Sequence, residues 1–422
     1  MNIRTLSTQI YQTVLSGNID SRFDTISDPQ EHAFAKKLIF TALRKQTFLK
    51  KVIGRYSSKQ LSQKLTIEHI ALILGATEIL WLNTPEYAVV SSYVDIAKKL
   101  GNKYMGGFVN AVLRKICQDK ESILSASNIP FFSKNFRRIL QNDYTVKQIA
   151  AIEKYAALEP PLDITVKLNP EQWAETLSGK LMPNNSVRIY SAGTISSLKG
   201  YTDGAWWVQD FASSLAVKAL GNIQEKNVLD LCAAPGGKTA QLINAGALVT
   251  AVDISENRLQ TLKENLNRLN FKAKNIICSE AVTYLQNTAE TFDVILLDAP
   301  CSATGTLRRH PEIVHTKTID DVVQSVVMQK QLLEAVIPHI KKGGTLLYSV
   351  CSLAKAEGEK QIADFITAHP DFKIVPVSPS FLFGNNILPE IITPEGFVRC
   401  LPSILGSDGG MDGFFIAKLQ KE

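Results

Sequence analysis

Several patterns are missing from this chain, and each absence narrows what it is. The six cysteines, at positions 117, 232, 278, 301, 351 and 400, form no CxxC pair and follow no framework spacing. The six histidines show no metal-ligand spacing, so neither a disulfide scaffold nor a metal centre is expected. No segment is repetitive or of low complexity. Met1 to Gly17 lacks the apolar core of a signal peptide. The longest apolar stretch, Ile67 to Leu82, is interrupted by Glu68, His69 and Glu78, which suits a buried helix and not a membrane span. Together these absences predict a cytoplasmic protein with reduced thiols and no membrane contact. Neither GxGxxG nor the P-loop GxxxxGK[ST] occurs. Gly236-Gly237-Lys238-Thr239 copies only the end of the second, because position 232, where its first glycine would stand, is Cys.

What is present is ordinary in amount and uneven in distribution. The 422 residues are enough for roughly two to three domains, and 45% hydrophobic content supplies them with cores. The net charge of +6 comes from one end: residues 1–150 hold 21 Lys and Arg against 11 Asp and Glu, residues 151–422 hold 25 against 29. The amino-terminal third is therefore the part expected to face a polyanion, unless its cations are only the solvated face of helices.

Periodicity divides the chain in three. Residues 1–157 read as helical, with apolar residues at three- and four-residue spacing in Ala33, Leu38, Ile39 and Leu43 and again from Ile70 to Leu80. Thr84 and Pro85 suit a cap and a first helical turn, and Gly106–Arg114 leads a helix with a basic outer face. Pro160 and Pro161 break this pattern. Residues 158–205 are predicted to form a small α+β connector, with strands over 162–168 and 186–190 and a helix over 173–181. In residues 206–422, strands at 227–231, 248–253, 275–278, 293–298, 345–349 and 373–377 alternate with helices such as 255–269 and 322–340. A strand at 413–417 closes the chain. The alternation predicts a doubly wound, mostly parallel, Rossmann-like α/β sheet.

Val228–Thr239 reads as a strand, a turn and a helix start. Cys232, Ala233, Ala234, Pro235, Gly236, Gly237 and Lys238 make a turn where backbone approaches a ligand closely and helix amides point at it. Asp253 ends the next strand, 23 residues after Asp230, where an acid suits the two hydroxyls of a ribose. The competing reading is a helix cap, since Ser255 and Glu256 follow. An adenosine ligand without a bound pyrophosphate points to S-adenosyl-L-methionine.

Cys301 and Cys351 each lie a few residues past an apolar, strand-like run. The carboxyl ends of parallel strands form the ligand crevice, and thiolates are strong nucleophiles, so two of them there suggest covalent chemistry. Cys117, Cys278 and Cys400 read instead as small buried apolar residues, Cys232 as part of the backbone of the turn, and Trp206 and Trp207 as packing. Arg308, Arg309 and His310 read either as a phosphate-neutralising group or as a solvated loop. Lys238 reads as a contact to cofactor or base, or as a helix-start cation.

Four segments stand out together: Asp230–Thr239; Asp298-Ala299-Pro300-Cys301-Ser302-Ala303-Thr304-Gly305 with Arg308–Glu312; Tyr348-Ser349-Val350-Cys351-Ser352; and Asp412-Gly413-Phe414-Phe415. Together they resemble the RsmB/Sun/Fmu family of RNA (cytosine-5)-methyltransferases that modify 16S ribosomal RNA. Thr84–Val90 and Gly107–Arg114 resemble that family's NusB-like helical RNA-binding domain, and Val208–Ser213 its entry into the catalytic domain. The likeness spans nearly the whole chain. It implies that Cys232–Lys238, Asp253 and Asp298 contact S-adenosyl-L-methionine. A further acid follows the third strand in the family; counting without gaps from Asp298 puts Ser279 there, and Glu280 takes the role after a one-residue shift. Ser-Val-Cys-Ser stands where Thr-Cys-Ser is commoner.

The resemblance also implies the chemistry. Carbon 5 of cytosine is a poor nucleophile until a thiolate adds to carbon 6. The nucleophile falls at Cys351, the release-assisting thiol at Cys301, and Asp298 hydrogen-bonds the base edge. DNA cytosine methyltransferases use the Pro-Cys cysteine instead, which would promote Cys301; the RNA-type amino-terminal domain and the separate Cys351 motif speak against that. The implied partner is 16S ribosomal RNA, naked or in a partly assembled small subunit, with the target base out of its stack. A monomer is expected. The competing class is a non-catalytic RNA-binding assembly factor that kept the fold, against which the intact cysteines and acids argue.

Overall fold

The structure, a computed structural model, describes residues 2–17, 23, 25–57, 65–125, 129–384 and 388–422. The chain forms two compact units, one of residues 1–137 with 310–317 and one of residues 138–309 with 318–422.

The first unit is helical, with main helices Ile3–Leu15, Pro29–Tyr56, Ile67–Trp81, Glu86–Leu100 and Gly106–Gln118. Ile67–Trp81 is its core: every residue from Ile70 to Leu80 is buried, as a helix apolar on all sides requires. Gly75 lets neighbours close in, since a Cβ there would meet Leu113 and Tyr93 at 3.0–3.1 Å. The acid that interrupts the apolar run is satisfied inside. Glu78 accepts from Arg4 at 2.8 Å and from the Tyr93 hydroxyl at 2.7 Å, the pairing a buried carboxylate needs. Helix Glu86–Leu100 begins one residue later than Thr84 suggests, with Pro85 at its cap position. Helix Gly106–Gln118 buries Val109, Val112, Leu113 and Ile116, leaving Arg114 and Lys115 exposed.

The second unit holds two sheets. The smaller joins β1 (Leu162–Val166), β2 (Lys180–Leu181), β3 (Val187–Ile189) and β4 (Trp206–Val208) in the order β2-β3-β1-β4, all antiparallel. It takes in Trp206–Val208, which alternation alone groups with the residues that follow. The helix expected over 173–181 ends at Thr176. Ser178 (φ 50°) turns the chain, and the Gly179 amide returns to the Ala174 carbonyl at 2.8 Å, freeing Lys180 and Leu181 to pair as a strand. Asp163 and Arg188 form a buried ion pair at 2.7 Å, and Arg188 also donates to the Gly410 carbonyl at 2.7 Å.

The larger sheet comprises β5 (Asn227–Leu231), β6 (Leu248–Asp253), β7 (Asn275–Cys278), β8 (Phe292–Asp298), β9 (Ile340–Val350), β10 (Phe372–Ile374), β11 (Val398–Cys400) and β12 (Phe414–Lys421). Its order is β10-β12-β9-β8-β5-β6-β7, with β11 on β12. The five strands β5 to β9 are parallel, and β12 with its neighbours closes one side antiparallel, in keeping with a mostly parallel sheet. Several bounds differ from periodicity, among them the helix expected over 322–340, which ends at Val336, and β9, which begins at Ile340; two differences have identifiable reasons. The helix expected at 322 starts at Ile319 because Thr318 and Asp321 form a capping box. β10 stops at Ile374, shortly before Pro376, which cannot donate to a ladder.

Candidate active site

The chain leaves β5 outward to β6 and β7, then returns to the other side of β5 for β8 and β9. The crevice of such a sheet opens at the carboxyl ends beside that reversal. In spatial order the strand tips there carry Glu280, Asp253, the turn 232–238, Asp298 with Cys301, and Cys351.

The turn is shaped by two left-handed residues, Cys232 (φ 61°) and Gly236 (φ 99°). A Cβ at Gly236 would lie 2.8 Å from Leu262 Cγ, so only glycine fits. Gly237–Asn244 then starts as a helix whose first amides face the crevice. Asp253 Oδ2 accepts from the Ala234 amide and Oδ1 from the Ser255 amide, both at 3.0 Å. The cap of the following helix is Ser255, whose hydroxyl accepts from the Arg258 amide. Asp253 thus braces the turn, with one backbone amide on each oxygen. Glu280 directly follows Ser279 past β7 and caps helix Ala281–Gln286 through the Val282 and Thr283 amides. Burial pushes the Cys232 thiol up to about 12, so it stays protonated and inert. Asp230 beneath the turn accepts from Thr239 Oγ1 at 2.6 Å, and burial pushes its carboxyl up to about 7. The tight turn, the helix start and the acids on neighbouring tips fit an adenosyl amino acid.

Beside this cradle stand the two thiols. Cys301 and Cys351 are 50 residues apart in sequence, and their sulfurs lie 3.2 Å apart. The contact with Cys351 pushes the Cys301 thiol well up, and burial adds to the shift. Asp298 accepts from Lys238 Nζ at 2.8 Å and from Ser349 Oγ at 2.7 Å; the same ammonium lies 5.0 Å from the centre of the Phe414 ring. The two cysteine loops are laced together by backbone. The Gly305 amide donates to the Cys351 carbonyl at 3.0 Å, and the Gly413 amide to the Gly305 carbonyl at 2.8 Å. A Cβ at position 305 would fall 1.9 Å from the Gly413 oxygen.

Some expectations are corrected. Arg308 is buried and Arg309 half-buried, so these two are not a solvated loop and their charges are taken up inside the protein, while His310 is half-buried with its Nδ1 3.1 Å from Glu312. Arg309 bridges Asp210 at 2.8 Å and Asp412 at 3.1 Å, and Arg308 Nη1 lies 3.9 Å from Asp412. Burial would raise Asp210, but the two arginines overcome it and hold its carboxyl below the usual range. Cys278 is exposed and Cys117 half-buried, so of the three cysteines expected in a core only Cys400 is fully buried. Trp206 and Trp207 are buried, as packing residues should be.

Periodicity and motif gave no hint of Glu357. Its buried carboxylate accepts from the Ser302 amide at 2.8 Å, from Ser302 Oγ at 2.5 Å, from Ser352 Oγ, and from Gln329 Nε2 at 3.1 Å. The one signal in the sequence was the repeated pair Cys301-Ser302 and Cys351-Ser352.

Among the described residues no helix is long and apolar enough to cross a membrane, and no group of three or more His, Cys, Asp and Glu is placed to hold a metal ion. A family model described as 16S rRNA methyltransferase RsmB/F matches residues 217–420, and one described as the NusB family matches residues 1–118. The ribosomal RNA small subunit methyltransferase B of Serratia proteamaculans is 32% identical over 96% of this chain and 94% of its own length. Two solved structures from Pyrococcus horikoshii share the fold. A methyltransferase homolog protein has a TM-score of 0.55 and 26% identity over 69% of this chain and 100% of its own. NSun6 with SFG has a TM-score of 0.58 and 21% identity over 70% of this chain and 99% of its own. With a relative 32% identical over 96% of this chain, the chain belongs to the RsmB/F family of 16S rRNA methyltransferases, and its methyl donor is S-adenosyl-L-methionine.

Proposed function

We propose that this enzyme methylates carbon 5 of a cytosine in 16S ribosomal RNA through a covalent bond from Cys351 to carbon 6. The observation that carries this reading is the pair of sulfurs 3.2 Å apart at the carboxyl ends of adjacent strands, beside the cofactor turn. S-adenosyl-L-methionine supplies an electrophilic methyl group. Cys232–Lys238, Asp253, Glu280 and Asp298 line the place for it, with Asp253 at the ribose and the helix start at Gly237 toward its charged end.

The chain's own residues do the rest. Cys351 Sγ, as thiolate, bonds to carbon 6, and the C5=C6 electron pair shifts to carbon 5, which becomes the nucleophile. After methylation the carbon 5 proton leaves to solvent base, the pair restores C5=C6, and the C6–S bond breaks to return the thiolate. Cys301 is suited to that last step. Its sulfur lies 3.2 Å from that of Cys351, so its S–H can hydrogen-bond to the departing sulfur and stabilise the developing negative charge. In this reading Asp298 accepts from the N4 amino group of the base.

The RNA surface of the helical unit is proposed at Lys98, Lys99, Lys103, Arg114 and Lys115, all exposed. Lys103 lies over the exposed Tyr104 ring at 5.0 Å, the basic-aromatic pairing that suits unpaired nucleotides.

One experiment separates the roles. Cys351→Ala is expected to drop methyl transfer to background and to form no protein–RNA adduct. Cys301→Ala is expected to accumulate an adduct, seen as a slow band in a denaturing gel. Bisulfite sequencing of 16S RNA reads the product. Wild-type activity in Cys351→Ala rejects the nucleophile, and an adduct that vanishes only in Cys301→Ala reverses the two roles.

A further inference from the structure

We propose that Glu357 is a positioning residue for the cysteine pair: one buried carboxylate sets the separation of the two sulfurs by holding the residue that follows each. This deepens the cysteine mechanism above and rests on it.

The two thiols sit on loops that leave different strands, and nothing in either loop alone brings them to 3.2 Å. Each cysteine is followed by a serine, and both serine hydroxyls donate to the same oxygen, Glu357 Oε2. The other oxygen, Oε1, accepts from the Ser302 amide and from Gln329 Nε2. Gln329 lies on helix Ile319–Val336 and also donates to the Pro300 carbonyl at 2.9 Å, so one side chain holds both the carboxylate and the residue preceding Cys301. Glu357 itself is fixed from behind, its carbonyl accepting from the buried Tyr348 hydroxyl at 2.7 Å. The remaining hydroxyl closes the network. Thr304 Oγ1 accepts from the Leu353 amide at 3.0 Å and lies 3.0 Å from Ser352 Oγ, to which it can give its proton. Arg399 Nη1 donates to the Ser352 carbonyl at 2.6 Å. Hydrogen bonds to an ionised acceptor in a dry site are short and stiff. Reacting groups must be held within about 0.5 Å, and rigid support from neighbouring side chains is what does it. Glu357 contacts neither sulfur, so its role is to hold and not to react.

The test uses the full chain and two variants, Glu357→Gln and Glu357→Asp. Two readouts are taken: kcat against KM for RNA and cofactor, and the equilibrium of the Cys301–Cys351 disulfide with dithiothreitol. In the second, the two thiols lose two hydrogens to oxidised dithiothreitol, and peptide mapping identifies the pair. The expected result for Glu357→Gln is a kcat lower by about ten- to a hundredfold, the scale on which a 1 Å misplacement acts, with KM little changed. The disulfide equilibrium shifts toward free thiols, because the sulfurs meet less often. Glu357→Asp, shorter by one methylene but still charged, falls in between. A folded Glu357→Gln with wild-type kcat and wild-type disulfide equilibrium overturns the proposal. Should Glu357→Gln fail to fold, Ser302→Ala and Ser352→Ala remove the clamp one arm at a time. Each is then expected to shift the equilibrium the same way, and two unshifted variants overturn it. The disulfide readout needs no substrate, so it judges the clamp separately even if Cys351→Ala rejects the nucleophile.

Discussion

Glu78 in the helical unit and Glu357 in the methyltransferase unit are both wholly buried, yet they keep different company. Glu78 faces a guanidinium and a phenol, and all three groups lie on helices of one unit. Among the described residues, the donors to Glu357 are neutral and come mostly from loops. A buried carboxylate with a cation answers its own desolvation and little else; its partner mainly protects stability. A buried carboxylate ringed by hydroxyls and amides instead adds a side-chain tie between loops that backbone bonds already bring near each other. The helical unit therefore uses its buried charge to hold a helix in a core, and the catalytic unit uses it to set geometry.

The comparison can be broken most readily at Arg4. Arg4→Ala leaves Glu78 buried without its cation and is expected to cost about 3–5 kcal/mol, the usual effect of stripping one partner from a buried pair. Hydrogen exchange should show the loss in helix Ile67–Trp81 and leave the β8 and β9 amides protected. A loss spread evenly through both units would erase the distinction.

A smaller effect comes from pH. His315 belongs to the helical unit, and its Nε2 lies 2.8 Å from the Leu43 carbonyl. Burial pushes its imidazole down from 6.5 to about 4. A lowered histidine favours the neutral ring, so the stability it contributes is complete above about pH 6.5 and is lost as pH falls toward 4. His315→Gln, which keeps a donor but does not titrate, should flatten the fall in melting temperature across that window. An unchanged slope would place the acid sensitivity elsewhere.

The smallest expected effect sharpens the comparison from outside. Replacing Lys98, Lys99 and Lys103 by Gln should weaken RNA binding nearly uniformly across sequences. It should also reduce the slope of log K against log salt by about 0.7–0.9 for each phosphate that is no longer neutralised. Matching replacements on the methyltransferase unit should move the slope less, because its net charge is negative. Equal changes would assign the polyanion surface to both.

The parallel strands were legible because each is a short apolar run between turn signals. Asn227–Leu231, Leu248–Asp253 and Asn275–Cys278 run just as periodicity places them. The cofactor turn was legible because its glycines answer a purely local demand. Trp206–Val208 was not legible as a strand, because three residues find their partner 40 residues back in β1, and no local pattern encodes that. Arg308 and Arg309 were misread for the same reason: a run of cations looks solvated until the carboxylates at 210 and 412 arrive beside it.

By itself the order of residues determined the helical and α/β divisions, the strand tips and the two cysteines worth watching. These follow from period, turn chemistry and side-chain reactivity, which act over a few residues. Only the tertiary structure decided that sulfurs 50 residues apart touch and that one carboxylate holds the residues after both. The meeting of distant segments is set by the packing of the whole sheet, and a linear pattern carries no measure of that distance.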